Sequence, residues 1–392
     1  MNAAKNSSPD VYAPPAIGRE PRAVYFHVPF CLHRCGYCDF TLVARRDDLI
    51  PSYLQALENE LTRLNRSYDV DTVFVGGGTP THLSVEQLLQ LGELIRKHFE
   101  LADGGEFSIE ANPDGLDEGR LSALRDIGVN RVSLGVQSFD NEVLKTLERQ
   151  HSAAEAEVVV ERVQRFFPSV SLDLIFGVPG QNIDSWRATL TRAVRLPLKH
   201  ISTYGLTFEK GTDFFQRRKS GGLIPVDDDL ERTMYAEAIE RLADSGFTHY
   251  EISNFARDDS RCRHNEVYWA ADEYFAFGPG AARYVDGVRS TNARNVNRWI
   301  TSWLNNEPAL QDHETLNPED KAREAIFLGL RLVDGFSLSQ FQQRFGFSVA
   351  ELSPECLQQN IDSGNLEVVG DHLRLTDQGR FIADTVISDF LG

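Results

Sequence analysis

Residues 25–40 read YFHVPFCLHRCGYCDF, a short apolar run that ends in three cysteines spaced C-x3-C-x2-C. The run Ala23–Val28 is predicted as a strand, so Cys31, Cys35 and Cys38 fall on the loop that follows it. Thiolates are soft ligands suited to iron–sulfur clusters, and three of them on one loop can occupy three corners of a cubane. The fourth iron then stays open to another ligand. Structural zinc is the alternative, with His33 the one local candidate for a fourth ligand. The chain holds five cysteines in all. An odd count with three in a tight group is a poor disulfide framework, and it points to metal or redox chemistry in a reducing compartment.

Outward from this loop, β-rich runs alternate with longer helical stretches. The predicted strands are Ala23–Val28, Thr72–Gly76, Glu106–Glu110, Arg131–Val136, Ser171–Phe176 and His200–Leu206. They are short, rich in Val, Ile and Phe, and most stop at Gly or a turn residue, as buried parallel strands do. Between them, Ile50, Tyr53, Leu54, Leu57, Leu61 and Leu64 repeat at helical spacing. Val85, Leu88, Leu89, Gly92 and Ile95 do the same behind Ser84, a candidate N-cap. Six β–α repeats require a parallel sheet with right-handed crossovers. An α/β fold follows, an incomplete (β/α)6 barrel over residues 23–225, with a doubly wound open sheet as the alternative. Functional groups then belong at the carboxyl ends of the strands.

Residues 226–312 carry one clear predicted helix, Leu230–Ser245, and then aromatic, Gly-rich segments. From 313 to 392 the pattern changes. Helices are expected at Lys321–Arg331, Leu338–Phe345, Cys356–Ser363 and Asp377–Phe390, with a hairpin of Leu366–Val369 and Leu373–Leu375 turning at Asp371 and His372. This reads as a small C-terminal winged-helix-like domain. The 392 residues carry 40 Lys+Arg against 58 Asp+Glu, a net charge of −18. Such a field repels phosphate backbones, so nucleic acid is disfavoured as a partner and the C-terminal domain is expected to pack against or recognise protein. No apolar run approaches the roughly 20 residues that span a bilayer. Residues 1–22 are polar and Pro-bearing, without the pattern of a secretory signal. A disordered tail and a cytoplasmic location are expected, with attachment to a membrane through a partner left open.

Residues 25–40 resemble the cluster loop of the radical-SAM superfamily. Their flanks resemble the branch that contains anaerobic coproporphyrinogen III oxidases and the HemW heme chaperones. The likeness continues through GGGTPT at Gly76–Thr81, EANPD from Glu110, GVQSF at Gly135–Phe139 and RQH at Arg149–His151. It extends to DLIFGVPGQ at Asp173–Gln181 and HNEVYW at His264–Trp269. The resemblance implies a [4Fe–4S] cluster on Cys31, Cys35 and Cys38 with S-adenosylmethionine (SAM) at the open iron. It places Tyr25, Tyr37, Gly77, Gly78, Thr79, Glu110, Gln137, Arg149 and Asp173 at or near SAM. Chemically, the acids and amide can accept from the amino group or ribose, Arg149 can pair with the carboxylate, and the tyrosines can pack beside cluster and adenine. Taken singly, each polar residue is as readily a structural hydrogen-bonding group, and the glycine triplet an ordinary strand-end turn. The implied chemistry is one-electron reduction of the cluster by an external donor, then reductive cleavage of SAM to methionine and a 5′-deoxyadenosyl radical.

Two functions share such a scaffold: oxidative decarboxylation of coproporphyrinogen III, and carriage of heme to an acceptor protein. The oxidase pattern has a further Cys two positions beyond the third, where this chain has Phe40. The oxidase likeness also calls for a longer N-terminal extension, and HNEVYW resembles a HemW motif. All three favour the heme chaperone. A third class, a radical-SAM enzyme with another substrate, is permitted by the barrel motifs alone. His264 is a candidate axial heme ligand, Cys262 a candidate to serve or substitute, and Tyr268 and Trp269 candidates to stack on the porphyrin. The competing view makes His264 a hydrogen-bonded core residue and the two aromatics packing. Cys356 reads as a small hydrophobe, and His27 as support for the site. A homodimer is left open.

Overall fold

The structure, a computed structural model, describes residues 20–258 and 260–391. Most of the expected tail, residues 1–19, lies outside the described residues. Residues 20–22 lead into the sheet, and Arg22 pairs with Asp71 at 2.8 Å.

All six predicted strands form, and they pair in chain order. They are β1 (Ala23–Val28), β2 (Tyr68–Gly77), β3 (Phe99–Ala111), β4 (Arg131–Gln137), β5 (Ser169–Phe176) and β6 (His200–Gly205). Every pairing from β1 to β6 is parallel. Three further strands extend this sheet: β7 (Thr248–Glu251), β8 (Asn254–Ala256) and β9 (Phe275–Phe277). The nine-stranded order is β9-β1-β2-β3-β4-β5-β6-β8-β7. Strand β9 joins β1 in parallel, whereas β8 runs antiparallel to β6.

Successive side chains of a strand point to opposite faces, and here the faces differ in chemistry. Val24, Phe26, Val73, Val75, Ile109, Val132, Leu134, Leu172 and Ile201 bury into one large core with the helices. The alternate positions carry Tyr25 and His27; Thr72, Phe74 and Gly76; Glu106, Ser108 and Glu110. They continue with Arg131, Ser133 and Gly135; Ser171 and Asp173; His200, Ser202 and Tyr204. Registers such as Thr72↔Glu106, Glu110↔Ser133, Gly135↔Asp173 and Asp173↔Ser202 set these polar residues side by side. The strands are thus apolar toward the helices and polar on an inner face.

The helices open as their caps dictate. Ser84 accepts from the Gln87 amide at 3.3 Å while Gln87 accepts from the Ser84 amide at 2.9 Å, a reciprocal box that starts Val85–His98. Several helices were not expected, Asp213–Lys219 and Val349–Leu352 among them. Arg263–Trp269 contains the HNEVYW motif, and Val296–Leu304 buries Trp299 and Trp303.

The C-terminal region has its own core. Leu338–Phe345 and Leu366–Val369 match expectation, but His372 belongs to the second hairpin strand, His372–Leu375. A short strand, Phe336–Ser337, joins them as a third. The expected helix Asp377–Phe390 is split into Asp377–Arg380 and Ala383–Ser388. Gly379 is pressed against the Asn365 backbone, where a Cβ would not fit, and the chain re-aims at Phe381 and Ile382 before resuming. Among the described residues no helix is long and apolar enough to cross a membrane.

Candidate cluster and SAM site

The cysteine loop is stitched to the end of β2. Thr79 donates its amide to the Phe30 carbonyl at 2.7 Å, and Gly78 donates to the Val28 carbonyl at 2.8 Å. The Thr79 hydroxyl meets Cys31 Sγ at 3.3 Å. A Cβ on Gly78 would stand 2.7 Å from the Phe30 carbonyl and 3.0 Å from Cys31 Sγ. Gly77, at φ +114°, would strike the His27 ring. The triplet therefore lets the loop lie against the strand end. Burial pushes the Cys31 thiol up to about 11, and burial also raises Cys38. Cys35 and Cys38 both add repulsion at Cys31, so the three sulfurs lie within electrostatic reach of one another. Among the described residues, no three His, Cys, Asp or Glu side chains are arranged to hold a single metal ion. His33 lies 3.9 Å from Glu148.

A polar chain links two of the thiols. From Thr79, whose hydroxyl touches Cys31, it runs to Asn112, which donates to that hydroxyl at 2.9 Å. Arg149 donates to Asn112 Oδ1 at 2.6 Å, to the Gly135 carbonyl at 2.7 Å, and toward Cys35 Sγ at 3.8 Å. Its Nε has no partner. Cys35, Thr79, Asn112, Asp114, Arg120, Glu148 and Arg149 border a pocket at this strand end. Tyr37 packs edge-on against Phe214 at 6.0 Å.

Around the same strand ends, Glu110 accepts from the Gly77 amide at 2.9 Å. Burial, reinforced by the Asp173 charge, pushes its carboxyl up to about 7. Asp173 is also raised by burial and accepts from Ser133 Oγ at 3.1 and 3.0 Å. Gln137 sits at φ +68°, with the Ser138 amide bonded back to the Val136 carbonyl at 2.8 Å. Such γ-turn geometry is strained for a non-glycine residue and aims its side chain off the strand line. Tyr25 donates to His27 Nδ1 at 2.9 Å, since His27 Nε2 faces the Thr41 carbonyl. Tyr204 was not anticipated. It lies among the charges of Asp173, Glu251 and Glu110, yet remains 41% exposed, which marks the inner face as open at this end.

The HNEVYW helix closes the opposite end. His264 is 1% exposed and stacked on Phe74 at 5.2 Å. Its Nδ1 meets the Thr72 hydroxyl at 2.8 Å, its Nε2 meets the Tyr268 hydroxyl at 2.9 Å, and burial lowers it to about 3. As placed, neither ring nitrogen is free, so iron ligation requires His264 to give up one partner. Cys262 is buried against Glu106 at 3.7 Å and pushed up to about 12 by desolvation. Arg331 lies 4.7 Å over the Trp269 ring. Of the four heme candidates Tyr268 and Trp269 are half-buried, and Tyr268 lines a pocket with Tyr274, Tyr284, Arg289, Lys321 and Arg344.

A family model for the radical SAM superfamily matches residues 25–193, and one for the HemN C-terminal domain matches residues 316–382. The heme chaperone HemW of Bacillus subtilis (strain 168) is 35% identical over 376 residues, covering 95% of this chain and 99% of that protein. The chain belongs to the HemW family. A second heme chaperone HemW, from Mycobacterium tuberculosis (strain ATCC 25618 / H37Rv), is 37% identical over 380 residues, 95% of each chain. Among solved structures, the radical SAM enzyme coproporphyrinogen III oxidase (HemN) from Escherichia coli superposes with a TM-score of 0.84 at 24% identity, covering 95% of this chain and 91% of that one. It shares the fold. HemW relatives match both the sheet and the C-terminal region, so membership takes in the whole described chain.

Proposed function

We propose that the protein is a heme chaperone of the radical-SAM class, which binds a [4Fe–4S] cluster, SAM and heme and passes heme to an acceptor protein. The observation that carries this reading is the match to heme chaperones over 95% of the chain. The sheet is read as an incomplete (β/α)6 barrel over residues 23–225, extended by 226–312 and followed by a winged-helix-like domain from 313. The unpaired thiols suit a reducing compartment, the cytoplasm.

The donor set fits the cofactors. Cys31, Cys35 and Cys38 supply three thiolates on a loop that the glycine triplet lets approach β2, and the buried Arg149 Nε, which makes no hydrogen bond, leaves a donor for an anionic group such as a carboxylate. Tyr25, Tyr37, Gly77, Gly78, Thr79, Glu110, Gln137, Arg149 and Asp173 would hold SAM. Bound together, cluster and SAM supply one-electron chemistry. This chain's residues do the rest. Arg149 would orient a carboxylate, and Glu110 and Asp173 would accept from amino or hydroxyl groups. For heme, the half-buried Tyr268 and Trp269 are the accessible candidates, while the buried His264 and Cys262 lie deeper.

Anaerobic reconstitution of the full chain with iron and sulfide, then heme titration and a coproporphyrinogen III conversion assay on the same sample, tests the reading. Tight heme binding without porphyrinogen decarboxylation is expected. Robust decarboxylation would establish the oxidase instead, despite Phe40, whose ring is 57% exposed on the cysteine loop. His264→Ala with unchanged heme affinity and Soret band would remove His264 from the heme site.

A further inference from the structure

Glu148 adopts a backbone conformation that its side chain disfavours. Its φ is +57°, in the left-handed region where residues other than glycine persist only if their surroundings hold them. Here Glu148 closes the helix Asn141–Thr146, with the Glu148 amide bonded to the Lys145 carbonyl at 3.0 Å and the Arg149 amide to the Leu144 carbonyl at 2.9 Å, and this cap aims the residue at the cysteine loop. Oε2 accepts from the Gly36 amide at 2.9 Å, and the Glu148 carbonyl faces Cys35 Sγ at 3.9 Å. Oε1 pairs with Arg217 at 2.7 Å. Arg217 belongs to the short helix Asp213–Lys219, whose Phe214 donates its amide to the Gly36 carbonyl at 2.9 Å. The Phe214 ring fills the space beside Gly36, and a Cβ there would stand 2.7 Å from it. Both backbone polar groups of Gly36, which lies between Cys35 and Cys38, are therefore gripped by residues far away in sequence.

We propose that Glu148 is a positioning residue that clasps the cysteine loop to the helix Asp213–Lys219 and sets the charge environment of the cluster held there. This rests on the reading of the three thiols as cluster ligands. The carboxylate does two separable things. Its oxygens fix the loop between two ligands, which slows cluster loss. Its negative charge opposes the arrival of an electron, which lowers the reduction potential, since net charge and hydrogen bonding around a cluster set that potential.

Two variants of the full chain, reconstituted anaerobically, separate these effects. Glu148→Gly relieves the left-handed strain, so the apo protein unfolds in urea no more easily than the parent, yet the clasp is gone. Glu148→Gln keeps an acceptor for the Gly36 amide and loses the charge. The readouts are the rate of iron loss to a chelator and the midpoint potential from a redox titration followed by electron paramagnetic resonance. Glu148→Gly should lose iron about tenfold faster, the equivalent of one charge-assisted hydrogen bond. Glu148→Gln should retain iron like the parent, and the potential should move positive in both variants. Parent-like iron loss in Glu148→Gly together with unmoved potentials overturns the proposal. A parent chain that takes up no cluster removes the cluster reading itself, and the proposal with it.

Discussion

The carboxyl ends of the strands and their amino ends carry the same kinds of side chain, finished in opposite ways. At the carboxyl ends Glu110, Gln137, Arg149 and Asp173 are only half-buried and Tyr204 is 41% exposed. At the amino ends Glu106, Arg131, Cys262 and His264 are all buried, and they bind one another. Arg131 lies 3.7 Å from Glu106 and donates to Ser169 Oγ and the Ser260 carbonyl, while Glu106 accepts from the Arg263 and His264 amides. Residue chemistry does not separate a binding end from a structural one. Access does. HNEVYW has the composition of a ligand set, yet its helix seals the sheet floor.

The contrast breaks most readily at Glu106. Replacing it with Ala leaves Arg131 buried without its carboxylate, a change that typically costs about 3–5 kcal/mol. Arg149→Met at the open end keeps the carbon stem in place and should cost about 1 kcal/mol. Urea denaturation of both variants measures the difference. Equal losses would mean that the floor is no more a structural element than the mouth.

A smaller effect sharpens the same contrast through pH. The Glu110 carboxyl is held at about 7 against an ordinary 4.5. An unfolded chain sheds this proton near pH 4.5, while the folded chain keeps it until about pH 7. The unfolded state therefore binds fewer protons across that window, and stability falls as pH rises through it. Glu60, fully buried and also raised to about 7, adds to the slope. Glu110→Gln should match the parent near pH 4.5 and exceed it at pH 8, by on the order of 1–2 kcal/mol once solvent access is allowed for. Denaturation at four pH values checks this. His264, lowered to about 3 against an ordinary 6.5, acts in the opposite direction: between those values the unfolded chain holds the proton and the folded chain does not, so its contribution rises with pH, equally in parent and variant.

The strands were legible because each one ends a short β-rich run, and Ala23–Val28 matches residue for residue. Their two-faced character was readable as well, in the polar alternation Thr72, Phe74, Gly76 and Ser171, Asp173. Tyr204 falls four positions after His200 on that alternation, and Asn112 lies inside EANPD, so both carried a signal that went unused. Other features carried none. Strand β9 spans three residues, too short for a period. The HNEVYW helix has seven residues, no side-chain cap at Cys262, and an inward stripe made of buried His264 and half-buried Tyr268 instead of aliphatics. The left-handed backbone at Glu148 lacks the glycine that would announce it.

The smallest expected effect concerns what holds the floor shut. Arg344, from the C-terminal region, donates to the Ala270 and Ala271 carbonyls at 2.7 and 2.8 Å and pairs with Asp272 at 2.9 Å. A cation at a helix carboxyl end satisfies orphan carbonyls and complements the helix dipole. The side chain is substantially exposed, so Arg344→Met should cost only about 1 kcal/mol. That loss corresponds to roughly fivefold faster hydrogen exchange if it acts by local opening. The acceleration should appear at the Tyr268, Trp269 and Ala270 amides and not in β3 or β4, because Glu106 and Arg131 still pin the amino end of the helix. Acceleration spread through β3 and β4 would show that the C-terminal region braces the sheet as a whole. Unchanged exchange at all these sites would show that the sheet floor alone keeps HNEVYW in place.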